Sequence, residues 1–484
     1  MEQSNFFELV KTLDSDKIQQ IRQFSTISFF NHGRYRTQVI ALLELCFKHV
    51  LGQTRQTLEK KSVYASIFPK QEYREGKLEQ VMAAAHKVLR NGLQVMYYFR
   101  EENEFYQAFD FAGIASSNGM DTQQQQLLTR LKKSQNEVFP KNEAHYLKQL
   151  LLEDAIHDIE SLHNQVRGDL NIPNVLQALD QHYHLTRFSR LNRFLLQQKA
   201  ASLNTPEVIQ RMLAETKIPE RYLSESLLIR INYEIFKLLR KPILEPSDIQ
   251  VLFDLLLQHE TIIDPISLRE FYTYLRSLCV LVSNTFFDNE EIRLTLFELY
   301  KDNLSRGYLH IEGKMTSATY LAVSVSAIRV KQLDWALHFI ESHKHEIIGE
   351  NETQDIYRFN MAIYLFGAGR YAECLDSIPA TSPLVDYLLN GKRLELKAMY
   401  ELRSDLLPYK LDAFKMFLSR TSPKLLSEIQ KRGNQDFANL LLQLIQSPPD
   451  SADRAQRMTH RVQEKKQTLE GRWLLEKAKA LKKG

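Results

Sequence analysis

The run Tyr357-Arg-Phe-Asn360-Met-Ala-Ile-Tyr364-Leu-Phe-Gly367-Ala-Gly369-Arg-Tyr371-Ala-Glu-Cys374-Leu-Asp-Ser-Ile378-Pro379 decides the fold. Ile356, Phe359, Ile363 and Tyr364 recur at i, i+3, i+7 and i+8, which is one apolar stripe of a helix. Gly367 and Gly369 end that helix, since glycine reaches backbone conformations that close a turn. Tyr371, Leu375 and Ile378 recur at i, i+4 and i+7 and form a second helix, which Pro379 stops. The two together predict a helical hairpin.

The hairpin repeats on either side. At an offset of 38, Leu333, Ala336, Leu337 and Ile340 fall on Tyr371, Cys374, Leu375 and Ile378, and small Ser324 falls on Ala362. At an offset of 39, Ala413, Phe414 and Phe417 fall on Cys374, Leu375 and Ile378, although Lys410 stands where an aromatic is expected. The series resembles the tetratricopeptide (TPR) repeat, whose paired helices cross closely at small residues; Ala362 and Cys374 would supply that contact. It departs from the usual 34-residue period and from the glycine expected at Ala362.

Outward from this region the chain keeps reading as helix. Gly and Pro each make up about 3% of the 484 residues, against roughly 7% and 5% on average, and no stretch alternates in the manner of a strand. Stripes include Val39, Leu42, Leu43, Cys46 and Phe47 after a break at Phe29-Phe30-Asn31-His32-Gly33, then Leu78, Val81, Met82, Ala85, Val88 and Leu89, and later Leu227, Leu228, Ile231, Ile235, Phe236 and Leu239. Thr205-Pro206, Asp264-Pro265, Ser382-Pro383 and Ser422-Pro423 read as a capping residue followed by Pro in the first turn. The expected fold is all-α: a right-handed α-solenoid of TPR-like hairpins with a divergent helical N-terminal region. Four regions are drawn: 1–120, helical, ending at the polar stretch 116–126; 121–310, irregular hairpins; 311–420, TPR-like repeats; and 421–484, C-terminal helices with a basic capping helix.

Charge and composition exclude several functions. The formal net charge is only +4, too small for a general nucleic-acid or anionic-membrane field, although residues 454–484 carry ten Lys/Arg against three Glu. No apolar run is long enough to span a membrane, and the N-terminus lacks a signal-peptide pattern. Cys46, Cys279 and Cys374 stand in apolar helical surroundings, as buried thiols of a reducing compartment do. A cytoplasmic protein is expected, with a protein or peptide partner, no membrane insertion and nucleic acid the less fitting partner.

At larger scale the chain is similar to a family of helical, TPR-like proteins of about this length from Bacteroidota-type bacteria, to which no activity is assigned. The similarity rests on Ser28-Phe-Phe-Asn31, Ser62-Val-Tyr-Ala-Ser-Ile-Phe68, Leu191-Asn-Arg193, Trp335 with Phe339-Ile340, Asn360, Gly369-Arg-Tyr371, Phe417-Leu418 and Trp473-Leu-Leu-Glu-Lys477. Ile27-Ser28-Phe29 departs from it where the family tends to have proline after the serine. The resemblance implies the architecture and an interaction role, and carries no chemistry.

No glycine-rich phosphate loop, G-x-S-x-G or dinucleotide fingerprint is present, so no catalytic residue, cofactor or metal is expected. Three clusters carry residues of metal-ligating type. Glu153, His157, Glu160 and His163 share a helix face, but a carboxylate-bridged site needs a second such pair; His338, Glu341, His343 and His345 surround a helix end; His182 and His184 point apart on a helix. Each is read as structural, the first as a solvated face. Tyr320, Tyr357, Asn360 and Tyr364 lie on first helices of hairpins, which line the concave face of TPR solenoids, and are the candidate groove residues for a partner segment. Arg472, Lys477, Lys479 and Lys482 surround the apolar face Trp473, Leu474, Leu475, Ala478 and Leu481; they are a candidate basic surface on what reads foremost as a capping helix. The expected role is a non-enzymatic interaction scaffold. The alternatives are a regulator that senses a peptide or meets nucleic acid through this basic helix, and a metal-dependent enzyme built on the 153–163 helix.

Overall fold

The computed structural model describes residues 1, 3–54, 58–163, 170–201, 205–286, 289–348, 353–379, 385–422, 426, 428–447, 452–464 and 469–481. Ser382-Pro383, Pro423 and Lys482 lie outside them. The described residues are all-helical, with 24 α-helices, no strand, and two isolated β-bridges, Ile311 to Lys314 and Met315 to Ile347. None of these helices is long and apolar enough to cross a membrane.

The chain divides into two compact units, Met1–Glu137 with Leu151–Ile172, and Val138–Leu150 with Pro173–Gly484. In unit 1 the helices are α1 (Asn5–Lys11), α2 (Ser15–Thr26), α3 (Arg36–Val50), α4 (Lys60–Ile67), α5 (Lys77–Tyr98), α6 (Glu104–Ser117), α7 (Asp121–Glu137) and the later part of α8 (Glu143–His163). The stripes Val39–Phe47 and Leu78–Leu89 meet in one core with Phe6, Phe7, Ile18 and Ile21. A separate small core joins Phe105, Ala112, Leu128, Leu152 and Ile159. The polar stretch 116–126 is the turn of the α6/α7 hairpin and stays inside this unit. There Gly119 sits at φ +72 and the Met120 N–H reaches back to the Ala115 carbonyl, closing the helix end.

Unit 2 continues with α9 (Ile172–Ala201), α10 (Glu207–Glu215), α11 (Glu220–Glu225), α12 (Leu227–Arg240), α13 (Pro246–His259), α14 (Pro265–Thr285), α15 (Glu290–Ser305), α16 (Ser317–Arg329), α17 (Leu333–Ser342), α18 (Thr353–Gly367), α19 (Tyr371–Ser377), α20 (Val385–Glu401), α21 (Leu407–Arg420), α22 (Glu428–Ile445), α23 (Ala452–Glu464) and α24 (Gly471–Ala480). From α11 onward each helix packs on the next in sequence, and α16, α18 and α22 also pack on the helix two further on. Such an order needs only short connections and local pairing. Asp264 caps α14 through the Ser267 N–H, with Pro265 in the first turn, whereas Pro206 is itself the residue before α10 and Thr205 makes no cap there.

The opening hairpin is α18 and α19. Ala362 and Cys374 are both fully buried, as are Ser324 and Ala336 at the 38-residue offset. The next overlay holds only in part in space: Phe414 is buried, but Ala413 is exposed and Phe417 half-buried, and Leu411 and Leu418 are buried beside Phe414. Of the two glycines, Gly369 is the turn residue, at φ +78, with the Arg370 N–H bonded to the Leu365 carbonyl. Gly367 is still helical and does something else: a Cβ there would stand 2.4 Å from Ile328 Cγ2, so its bare backbone lets α16 approach.

Candidate functional site

Burial removes two of the four groove residues. Tyr320 is 0% exposed and its hydroxyl donates to the Ile340 carbonyl at 2.5 Å; Asn360 is 0% exposed and its Nδ2 donates to the Ile356 carbonyl at 2.8 Å. Both act inside unit 2, tying α16 to α17 and satisfying a turn of α18. Neither has surface to offer a peptide. Burial also raises the Tyr320 phenol well above its usual range, so it stays a neutral donor. Tyr364 is nearly buried and borders a polar hollow of about 430 Å³ with Glu341, Arg370, Glu373 and Asp376, where Arg370 is already paired with Glu373. Tyr357 keeps partial exposure, with Lys344 Nζ 5.6 Å from its ring centre.

The basic helix is likewise committed inward. Trp473, Leu474, Leu475 and Ala478 are buried in a core with α20 to α23. Trp473 Nε1 donates to Glu401 at 2.7 Å, and Lys477 pairs with the same carboxylate at 2.6 Å. Arg472 pairs with Glu476 at 3.0 Å, which leaves Lys479 as the exposed member among the described residues. At the start of the helix Glu470 meets Lys397 at 2.6 Å and Arg393 at 3.5 Å. Burial works against its charge, but Lys397 and Arg393 outweigh it and hold the carboxyl at about 2.

The three clusters of metal-ligating type resolve differently from one another. Glu153 is buried, where a solvated face was expected: it pairs with Lys132 at 2.8 Å and accepts from Asn171 Nδ2 at 2.9 Å. His157 donates to the Leu170 carbonyl at 2.6 Å, and the His163 side chain lies outside the described residues. His184 stacks in the core on Phe188 and tilts against Tyr222, whereas His182 is half-buried. His338, Glu341 and His345 are exposed; His343 turns away from them toward Glu346 and His310. Burial pushes the Cys46, Cys279 and Cys374 thiols up to about 12, so all three stay protonated and inert.

The surface feature that sequence reasoning missed is in unit 1. An open hollow of about 1360 Å³ lies between the loop after α2 and the outer face of α5, walled by Leu9, Phe29, Phe30, Leu93, Val95, Tyr97 and Tyr98. Phe29 is 76% exposed and Tyr97 55%. The loop is held by buried Asn31, whose Nδ2 donates to the Ser25 carbonyl at 3.0 Å, and by Phe30 stacked on Phe24 with ring centres 3.9 Å apart. On α5, Lys87, Arg90, Asn91 and Gln94 follow at i, i+3, i+4 and i+7, a polar stripe opposite the one that enters the core. Lys87 and Arg90 are exposed, and among the described residues they have no ion-pair partner and no carboxylate lines the hollow. Two signals in the sequence pointed here: adjacent phenylalanines in a glycine-marked break, and Tyr97-Tyr98-Phe99 at a helix end off the apolar stripe.

No family model, curated protein or solved structure matches this chain. The resemblance carried by Ser28-Phe-Phe-Asn31 and the other segments rests on those residues alone.

Proposed function

We propose that the chain is a non-enzymatic protein-interaction scaffold, in which unit 2 is an α-solenoid of TPR-like hairpins and unit 1 docks the partner. The succession of helix packing from α11 to α24 and the matched burial of Ser324 with Ala362 and of Ala336 with Cys374 support the solenoid. The observation that carries the docking role is the hollow beside α5, apolar at its walls and cationic at its rim. Exposed aromatic rings gathered at one concave site, and rimmed by polar residues, are a feature of docking surfaces.

The rim selects the occupant: an amphipathic segment with aromatic or leucine anchors on one face and Asp/Glu on the other. Phe29 and Tyr97 give rigid apolar contact at low entropic cost, while Lys87 and Arg90 favour acidic over basic segments. A peptide-display selection against the full-length protein tests this. It should enrich such sequences, and their affinity should fall about tenfold or more in both the F29A/Y97A and K87E/R90E variants. Absence of enrichment, or binding indifferent to both double variants, would overturn the reading.

A further inference from the structure

We propose that His310, His343 and Glu346 form a binding site for a divalent transition-metal ion of the zinc type. The site is independent of the docking hollow and lies within unit 2. Among the described residues, these three bring one ligand atom each to within 4.8 Å of one another.

The backbone is built to bring them together from distant points of the chain. After α15, residues 311–314 form a two-residue turn with Glu312 at φ +51 and Gly313 at φ +76, both positive as this tight reversal requires. Ile311 and Lys314 exchange both backbone hydrogen bonds, at 2.7 and 2.9 Å. The following residue, Met315, donates its N–H to the Glu346 carbonyl at 2.6 Å and accepts from the Ile348 N–H at 2.9 Å. Met315 and Ile347 are both buried in the main core, which fixes the two segments side by side. His343 ends α17, and the Glu346 N–H donates to its carbonyl at 3.0 Å. The ligand-bearing residues thus sit on braced backbone.

The side chains converge on one oxygen. His310 Nε2 and His343 Nδ1 each lie 2.8 Å from Glu346 Oε2. A tetrahedral zinc ion with bonds near 2.0–2.2 Å sets neighbouring ligand atoms about 3.4 Å apart, so each imidazole nitrogen would move away from Glu346 Oε2 by about 0.6 Å, and all three ligand atoms already lie within 4.8 Å of one another. The side chains have room to do so: they are 19, 25 and 37% exposed, which also gives the ion a path in. On binding, the ring nitrogen of each imidazole that faces Glu346 presents its lone pair to the ion, any proton there moving to the other ring nitrogen or to solvent, and the ion takes the place of the two contacts to Oε2. Two imidazole nitrogens with one carboxylate oxygen and a remaining open position suit zinc-type ions, whereas Mg²⁺ and Ca²⁺ prefer all-oxygen shells. His338, Glu341 and His345, which are closer in sequence to His343 than His310 is, are exposed and are not among the residues that bring their ligand atoms together here.

The test uses the full chain stripped with a chelator and titrated with ZnCl₂ by calorimetry, then analysed for bound metal after gel filtration. One equivalent of Zn²⁺ per chain is expected. Affinity should drop about tenfold or more in H310A, H343A and E346Q and stay unchanged in H338A/H345A, because each of the first three removes a ligand. H310Q, which keeps an N–H donor toward Glu346 and so preserves the hydrogen bond, guards against loss of folding and should also bind weakly. Co²⁺ bound to the wild type should show visible d–d bands that are lost in H310Q. No stoichiometric zinc, or binding that survives in H310A, H343A and H310Q, would overturn the site and leave a hydrogen-bonded His–Glu–His brace.

Discussion

The hollow of unit 1 and the hairpins and last helix of unit 2 place their candidate aromatic and cationic residues in opposite ways. In unit 1, Phe29 and Tyr97 stand exposed around a hollow, and Lys87 and Arg90 at its rim have no ion-pair partner among the described residues. In unit 2, Tyr320 and Asn360 are sealed in the core, and Arg472 and Lys477 are spent on Glu476 and Glu401. The difference follows from neighbours. From α12 to α23 a helix in unit 2 is packed by the helix before it and the helix after it, which takes up more than one of its faces. The outer stripe of α5 is covered by no helix that hides Lys87 or Arg90. Residue type alone did not distinguish an exposed tyrosine at a hollow from one sealed in the core.

The comparison breaks most readily at Tyr320. Replacement by Ala should cost about 3–5 kcal/mol in chemical denaturation, because it opens a cavity and leaves the Ile340 carbonyl without its donor. Phe29→Ala should stay within about 0.5 kcal/mol of wild type and lose only partner binding. If Tyr320→Ala were tolerated and instead abolished partner binding, the assignment of the two faces would be reversed.

Glu470 tests the inward use of charge next. Its folded carboxyl is held at about 2 against an ordinary 4.5, so its contribution is complete above that ordinary value and is lost as pH falls from there toward 2. Glu470→Gln should therefore remove at most about 3 kcal/mol at neutral pH and flatten the acid side of the stability curve between those values. In unit 1, K87E/R90E should leave stability within about 0.5 kcal/mol, because exposed unpaired charges hold nothing in place.

Two glycines sharpen the contrast at smaller magnitude. Gly367→Ala should destabilise by about 1–2 kcal/mol, since the new methyl meets Ile328 Cγ2 at 2.4 Å. Gly113→Ala, in the exposed interior of α6 with nothing within 4 Å, should stabilise by about 0.5–1 kcal/mol through the unfolded chain and helix propensity. Thermal or urea midpoints of both variants provide the check.

Much of the fold was legible because a helix is a local object. The stripes 356–364 and 227–239, the turn at Gly369, the cap at Asp264 and the burial of the cysteines all depend on residues within a few positions of one another. The polar stretch 116–126 misled for the same reason: a hairpin turn inside a unit has the composition of a linker. Glu153 looked like part of a solvated face because its partners, Lys132 and Asn171, lie about twenty residues away on either side.

The sequence by itself determined that this chain is helical, where many of its helices begin and end, and which residues share a face, since backbone hydrogen bonding at 3.6 residues per turn makes those properties local. Tertiary structure decided which faces are covered. It turned Gly367 from a turn residue into a packing contact, sealed Tyr320 and Asn360 away from any partner, left Phe29 and Tyr97 in the open, and joined His310 to His343 and Glu346. Each of these outcomes depends on which distant segment arrives at a face, and helical periodicity carries no record of that.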